Sequence, residues 1–301
     1  MGFDIVVVGS INQDLTVRVP HHPAPGETVL GTSHVFGAGG KGANQAVAAA
    51  RLGRRVAMIG RVGDDQPGRD LVRGLEAEDV DVSHVGVDGD APTGLALITL
   101  DEQAENAIAV SPGANSRLHP ETVEEARQVI VEATVLLVQL EVPIESVQEA
   151  ASLATGTVIL NPAPAAALPD ELSALADVIV PNRSELATLA GVDLPTDIGE
   201  VSAAAHRLSG HSDVIVTLGS DGAVVFSDGR VTPTVAPRID SVDTTGAGDA
   251  FCGALADALS RGMTLEDSAR WAVAAGASAT TRHGAQTAMP TADAVARLIG
   301  D

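Results

Sequence analysis

Short apolar runs, each about the length of one buried strand and separated by stretches with helical spacing, constrain this 301-residue chain more than any other feature. Ile5 to Val8, Val56 to Ile59, Val135 to Val138, Val158 to Leu160, Val178 to Val180 and Val214 to Leu218 are rich in β-branched residues and carry no charge. Strands covered on both faces read this way, because neither side of the pleat meets water. Between them, Ala43 to Leu52, Glu121 to Glu132, Ile144 to Ala154 and Ser202 to Leu208 have apolar residues on one helical face. The order strand, helix, strand predicts an α/β fold with a doubly wound, mostly parallel central sheet.

Two stretches break the rhythm. Leu15 to Val19 with Thr28 to Phe36, and Thr93 to Leu100 with Asn106 to Val110, are β-rich and separated by turn residues, so they read as hairpins. Inserted near the carboxyl ends of the main strands, they would form a small β-sheet lid over a ligand crevice, approximately residues 15–36 and 93–110 of a single domain spanning 1–301. Aromatic residues make up only 2%, so the core must be built from Ala, Val, Leu and Ile, with Trp271 as the lone large filler.

A formal net charge of -22, with Lys41 the only lysine, argues against nucleic acid or an anionic membrane as partner. Any phosphate must be held locally. The single cysteine, Cys252, excludes an internal disulfide, is read as a core residue and fits a reducing cytoplasm. The first residues lack the pattern of a signal peptide, no run is long enough for a membrane span, and a cytoplasmic location is expected.

The segment Asp243 to Phe251 carries the most chemistry. Gly246, Ala247 and Gly248 form a turn that leads into apolar positions at helical spacing, so a helix opens there with its unpaired N–H groups facing outward. Asp249 falls in the first turn, where a carboxylate can take a proton from an attacking hydroxyl while the Gly246, Ala247 and Gly248 amides stabilise phosphoryl oxygens. An aspartate that merely favours a helix N-terminus fits the same segment, which by itself does not choose.

Gly37 to Gly42 formally matches the dinucleotide fingerprint G-x-G-x-x-G, but it does not follow the first strand, as that fingerprint requires. It is not a P-loop either: Val35 stands where the first glycine should be, and Gly42 where the Ser or Thr should be. What remains is a tight loop that offers Lys41 and Asn44 to a ligand.

Together, Gly9 to Asp14, Gly39 to Ala46, Asn161 to Pro164, Pro181 to Glu185, Thr217 to Gly222 and Asp243 to Phe251 resemble, in order, the motifs of the ribokinase/PfkB family of carbohydrate kinases. The resemblance spans nearly the whole chain. It implies a ribokinase-like three-layer fold and transfer of phosphate from ATP to O5 of D-ribose, with Asp249 as base. It places Asn12, Asp14, Gly40, Lys41, Gly42, Ala43, Asn44 and Glu141 around the sugar. Thr217, Leu218, Gly219, Ser220, Asp221 and Gly222 fall against the nucleotide, with Asn182 and Gly248. Asn182 and Glu185 would organise Mg2+ through water. A K+ site near the anion hole would be built at Asp243, Thr245, Ala279, Arg282, Gly284 and Ala288, mainly from backbone carbonyls. A homodimer through the lid is also implied. A kinase of the same family for deoxyribose, a nucleoside or a sugar acid remains open, as does a non-catalytic sugar- or nucleotide-binding regulator; an NAD-dependent oxidoreductase rests on the Gly37 to Gly42 loop alone.

Overall fold

The computed structural model describes residues 2–103, 105–208, 210 and 212–300. Along the chain the strands are β1 (Ile5–Val8), β2 (Asn12–Arg18), β3 (Ser33–Gly39), β4 (Val56–Gly63), β5 (Val80–Asp88), β6 (Gly94–Leu100) and β7 (Asn106–Ser111). They continue with β8 (Val135–Gln139), β9 (Thr157–Asn161), β10 (Val178–Ile179), β11 (Asp213–Thr217), β12 (Ala223–Ser227) and β13 (Arg230–Thr234). The helices are α1 (Lys41–Arg51), α2 (Gln66–Ala77), α3 (Pro120–Glu125), α4 (Arg127–Glu132), α5 (Ile144–Leu153) and α6 (Asp170–Leu175). They end with α7 (Arg183–Ala190), α8 (Ile198–Leu208), α9 (Ala247–Ser260), α10 (Leu265–Ala279) and α11 (Ala292–Gly300).

The main sheet runs β13-β12-β11-β10-β9-β8-β1-β4-β5, parallel from β5 to β11 and antiparallel only in the last two strands. Period-two alternation divides each inner strand between two cores. Ile5, Val7, Val56, Met58 and Leu137 pack under α1, α9 and α10, while Val6, Val8, Ile59, Leu136 and Val138 pack against α3 to α6. All four residues of β1 are fully buried, and each such side chain is worth ~1.5–3 kcal/mol of apolar transfer.

The chain leaves β1 toward β4 and β5 on one side, then returns to β8 and runs the other way through β9, β10 and β11. The direction of winding therefore reverses between β1 and β8. Loops leaving the carboxyl ends of these two neighbours must part, and a crevice opens there.

The second sheet has the order β3-β2-β6-β7 and is built from the β-rich stretches expected to form a lid. The flanking pairs are antiparallel, but β2 and β6, which join the two halves, run parallel. Strand β3 begins at Ser33 rather than Thr28 and continues to Gly39, bringing the lid directly into α1. The helical stretch Glu121 to Glu132 is two short helices, α3 and α4, broken at Ala126. Strand β5 gave no apolar run because it is an edge strand, half-exposed along most of its length. Trp271 is only partly buried and lies beneath the Arg261 guanidinium, 4.8 Å from the ring centre, so the large interior fillers are Met58, Phe251 and the aliphatic residues.

Candidate active site

Three elements converge on the crevice. The segment after β1 supplies Gly9 to Asn12, the segment after β8 supplies Glu141, and the glycine loop between β3 and α1 crosses over both. Gly40 has φ +87°, and a Cβ there would lie 2.7 Å from the Asn12 nitrogen; one on Gly42 would lie 2.7 Å from the Gly9 carbonyl carbon. Only glycine allows this backbone-on-backbone crossing. The Ser10 hydroxyl donates to Glu141 Oε2 at 2.5 Å, and the Lys41 N–H donates to the same oxygen at 3.1 Å. Ala43 is buried, with its N–H donated to the Ser10 carbonyl. It shapes the wall without offering a polar group.

Asp249 stands in the first turn of α9, 8% exposed. Asn44 Nδ2 donates to its Oδ2 at 2.9 Å, and Gln45 Nε2 donates to its Oδ1 at 3.0 Å. Gln45 in turn donates to Asn161 Oδ1 and accepts from Gln139 Nε2, so a chain of carboxamides fixes the carboxylate. Burial raises the Asp249 pKa, against the Lys41 charge and the two amide donors. Burial also disfavours the charge on Lys41, but Asp249, Glu141 and Glu185 outweigh it and hold the ammonium above its ordinary value. Asp14, on β2, is pushed up to about 7 by burial and then by the nearby Glu141 and Asp249 carboxylates.

At the helix start, Gly246 is left-handed with φ +76°. The Ala247 N–H is donated to the Thr244 carbonyl at 3.2 Å, whereas the Gly246 and Gly248 amides take no backbone acceptor among the described residues. Of the three foreseen anion-hole donors, Gly246 and Gly248 are thus the open ones. A Cβ on Gly248 would meet nothing within 4 Å, so the turn faces open space. That space is a cavity of about 220 Å³ lined by Lys41, Asn182, Glu185, Gly246, Gly248 and Asp249 among others. A second cavity of about 580 Å³ shares Thr217 and Gly248 with it and continues past Gly219, Ser220, Gly222, Phe251 and Gly276.

Asn182 and Glu185 also build the helix they begin. Their side chains and backbone N–H groups pair reciprocally in a capping box at the start of α7. Burial raises the Glu185 pKa despite the Asn182 N–H and Lys41. An isolated bridge joins Asn182 to Thr217. Within Thr217 to Gly222 the roles divide: Leu218 packs against the core between α7, α8 and the sheet, and Asp221 pairs with Arg183 at 3.0 Å. The cavity wall is left to Thr217, Gly219, Ser220 and Gly222.

The Asp243 carboxylate accepts from the Thr245 and Gly284 N–H groups, both at 2.9 Å, and the Asp243 N–H donates to the Thr280 carbonyl at 3.1 Å. These bonds hold the loop before Gly246 against the end of α10, at Ala279, and the turn that follows, which carries Arg282. Ala288 is buried in the 3-10 turn Gln286–Ala288, and neighbouring Ala285 lies behind Gly246. Each Asp243 oxygen thus accepts one N–H from these loops.

Sequence reasoning assigned no role to Gln45, Asn161, Ser10 or Asn115, although the first three lie in motifs it singled out; a carboxamide that orients another side chain has no pattern of its own. Cys252 is buried as expected, yet it lines the smaller cavity beside Asp249, where burial and the Asp249 and Glu185 charges raise its pKa well above the ordinary value.

Residues 3–292 match a family model described as pfkB family carbohydrate kinase. A ribokinase of Haemophilus influenzae is 38% identical over 291 residues, 95% of each chain. A deoxyribokinase of Salmonella typhimurium is 35% identical over 294 residues, 96% of each. The solved structure of Arabidopsis thaliana ribokinase complexed with ribose and ATP matches with a TM-score of 0.92 at 32% identity, covering the whole of both chains.

Proposed function

The chain belongs to the PfkB family of carbohydrate kinases, and from that premise we propose that it transfers the γ-phosphoryl group of ATP to O5 of D-ribose, giving D-ribose 5-phosphate and ADP. The observation that carries this reading is the place of Asp249: a buried, doubly hydrogen-bonded carboxylate in the first turn of α9, on the wall of the smaller cavity beside the turn formed by Gly246 and Gly248. Asp249 takes the O5 proton as O5 attacks phosphorus, and the bond from phosphorus to the β,γ-bridging oxygen breaks. The Gly246 and Gly248 amides stabilise the phosphoryl oxygens, with Lys41 adding charge nearby. Asn12, Asp14, Asn44 and Glu141 hold the sugar hydroxyls, and the larger cavity takes the nucleoside.

Mg2+ fits the donor set in a limited way. Asn182 and Glu185 offer hard oxygens on the cavity wall, and no group of three His, Cys, Asp or Glu among the described residues could hold a metal alone. The ion would therefore be held chiefly by phosphates and water, neutralising charge on the phosphates. K+ would be held at the loops tied by Asp243, by carbonyls at Thr245, Ala279, Arg282, Gly284 and Ala288, and would stiffen the anion-binding turn. Exposed Phe36 and Leu97 occupy one face of the lid with Leu15, which supports pairing of two lids in a homodimer. No helix among the described residues is long and apolar enough to cross a membrane, and the lone thiol fits the cytoplasm.

A coupled ADP-release assay over ribose, 2-deoxyribose, a nucleoside and a sugar acid, with and without K+, tests the proposal. Highest kcat/KM with ribose is expected. A preference for any other acceptor, or no sugar-dependent ADP release, overturns it.

A further inference from the structure

Asn115 takes no part in the chemistry above, yet it is 1% exposed, and its side chain bonds to the segment that leaves β1. It sits in the 3-10 turn Gly113–Arg117, where the chain comes out of the lid after β7. Its Oδ1 accepts from the Ile11 N–H at 2.9 Å, its Nδ2 donates to the Ile11 carbonyl at 3.1 Å, and the same Nδ2 donates to Asn12 Oδ1 at 2.7 Å.

These bonds form a logical sequence. A backbone N–H can only donate and a backbone carbonyl can only accept, so Ile11 fixes which end of the Asn115 carboxamide is oxygen. The end facing Asn12 is then a donor, and the Asn12 atom meeting it must be oxygen. The Asn12 Nδ2 becomes the free end of that side chain. Asp14, two residues on along β2, lies on the same face of the strand and supplies an acceptor.

A second feature guards the arrangement. Gly94, which pairs with Asn12 in the lid, has the Asn12–Asn115 hydrogen bond lying across its Cα: an added Cβ would collide with both Asn12 Oδ1 and Asn115 Nδ2 and come within 3.0 Å of the Pro112 carbonyl. The bare Cα leaves room for the bond.

We infer that Asn115 is a positioning residue that locks the Asn12 carboxamide with its Nδ2 toward the sugar, so that Asn12 and Asp14 present a donor beside an acceptor to the hydroxyls of a polyol. This rests on the reading of the site as a ribose pocket. A hydroxyl whose oxygen is aimed at Asn12 finds a donor there; with the carboxamide reversed it would meet a second oxygen.

The test is a double-mutant cycle read in KM and kcat for ribose. Asn115→Asp still accepts from the Ile11 N–H but cannot donate, which turns the Asn12 carboxamide round. Gly94→Ala breaks the same bond by steric contact and leaves both partners intact. Each is expected to raise the ribose KM about tenfold or more with a much smaller change in kcat, the size expected when a buried polar group loses its partner. In an Asn12→Ala background the same substitutions should change KM by less than about twofold, because their effect passes through Asn12. Equal-fold rises in both backgrounds would mark a merely structural role and overturn the inference, as would a KM near wild type in both single variants. Wild-type enzyme that phosphorylates no pentose instead removes the proposed function itself.

Discussion

Asn44 Nδ2 lies 2.9 Å from Asp249 Oδ2, a contact between residues 205 apart in sequence that ties the start of α1 to the start of α9. It depends on how closely the two helices approach. A Cβ on Gly253, one turn beyond Asp249, would come within 2.6 Å of the Ala48 Cβ and 2.7 Å of the Gln45 carbonyl. The bare glycine brings α9 down onto α1, and Asn44 and Gln45 thereby reach both carboxylate oxygens. The Asp249 carboxylate is oriented by helix packing rather than by its own loop.

Replacing Asp249 by Asn keeps the size of the side chain and removes its basicity. The kcat is expected to fall by about 10²–10⁴ or more, the usual worth of a positioned base. Calorimetric ribose affinity should stay within a few-fold of wild type. Near-normal kcat would reassign the base.

With Asp14 proposed to hold a sugar hydroxyl, sugar binding should depend on pH. Its folded pKa of about 7 lies above the usual 3.8, so between those values the unfolded chain has released a proton that the folded chain keeps. Stability from this group is full below the lower value and is lost as pH rises through about 7. The carboxylate form accepts hydroxyl hydrogen bonds more strongly, so ribose affinity should rise from about pH 6 to 8, across that same pKa. Asp14→Asn should abolish both trends, flattening the pH dependence of ribose Kd and raising Tm at pH 8 relative to wild type. A pH dependence unchanged in the variant would assign the titration to another group.

Two glycines in one turn should respond in opposite ways. Gly248 has open space where a side chain would go, so Gly248→Val should leave Tm within about 2 °C of wild type, as surface changes do, while the side chain projects into the cavity. The KM for ATP is then expected to rise at least about tenfold. Gly246 has φ +76°, and its added methyl would press on Ala285 at 3.1 Å. Gly246→Ala should cost about 1–2 kcal/mol or more, seen as a lower melting temperature. Equal thermal losses in both would show that the turn is supported differently.

Much of the fold could be read because fully buried strands leave a signal that survives without context. Residues Ile5 to Val8 and Val135 to Val138 are apolar throughout because both faces are covered, whereas β5 escaped notice because only part of it is. The lid strands were visible as β-rich interruptions, but the parallel pairing of β2 with β6 was not, since pairing partners far apart in sequence leave no local trace. Within the site, Asp249, Lys41 and the glycine turns stood out by residue type and spacing. Leu218 and Asp221 share a motif with Gly219 and Gly222 yet face elsewhere, because a motif fixes where the backbone goes and the local core decides which side chains turn inward.

The sequence by itself determined the alternating sheet, the places where glycine must occur and the acidic and basic groups available for phosphoryl transfer; these follow from periodicity, backbone sterics and side-chain chemistry, all of which are local. Only the tertiary structure decided that Gln45 and Asn44 would grip Asp249, that burial, with Glu141 and Asp249 nearby, would draw Asp14 up to about 7, and that Asn115 would orient Asn12. Each depends on distances between segments distant in the chain, and in a buried site small differences in distance set whether a hydrogen bond forms and how strongly two charges interact.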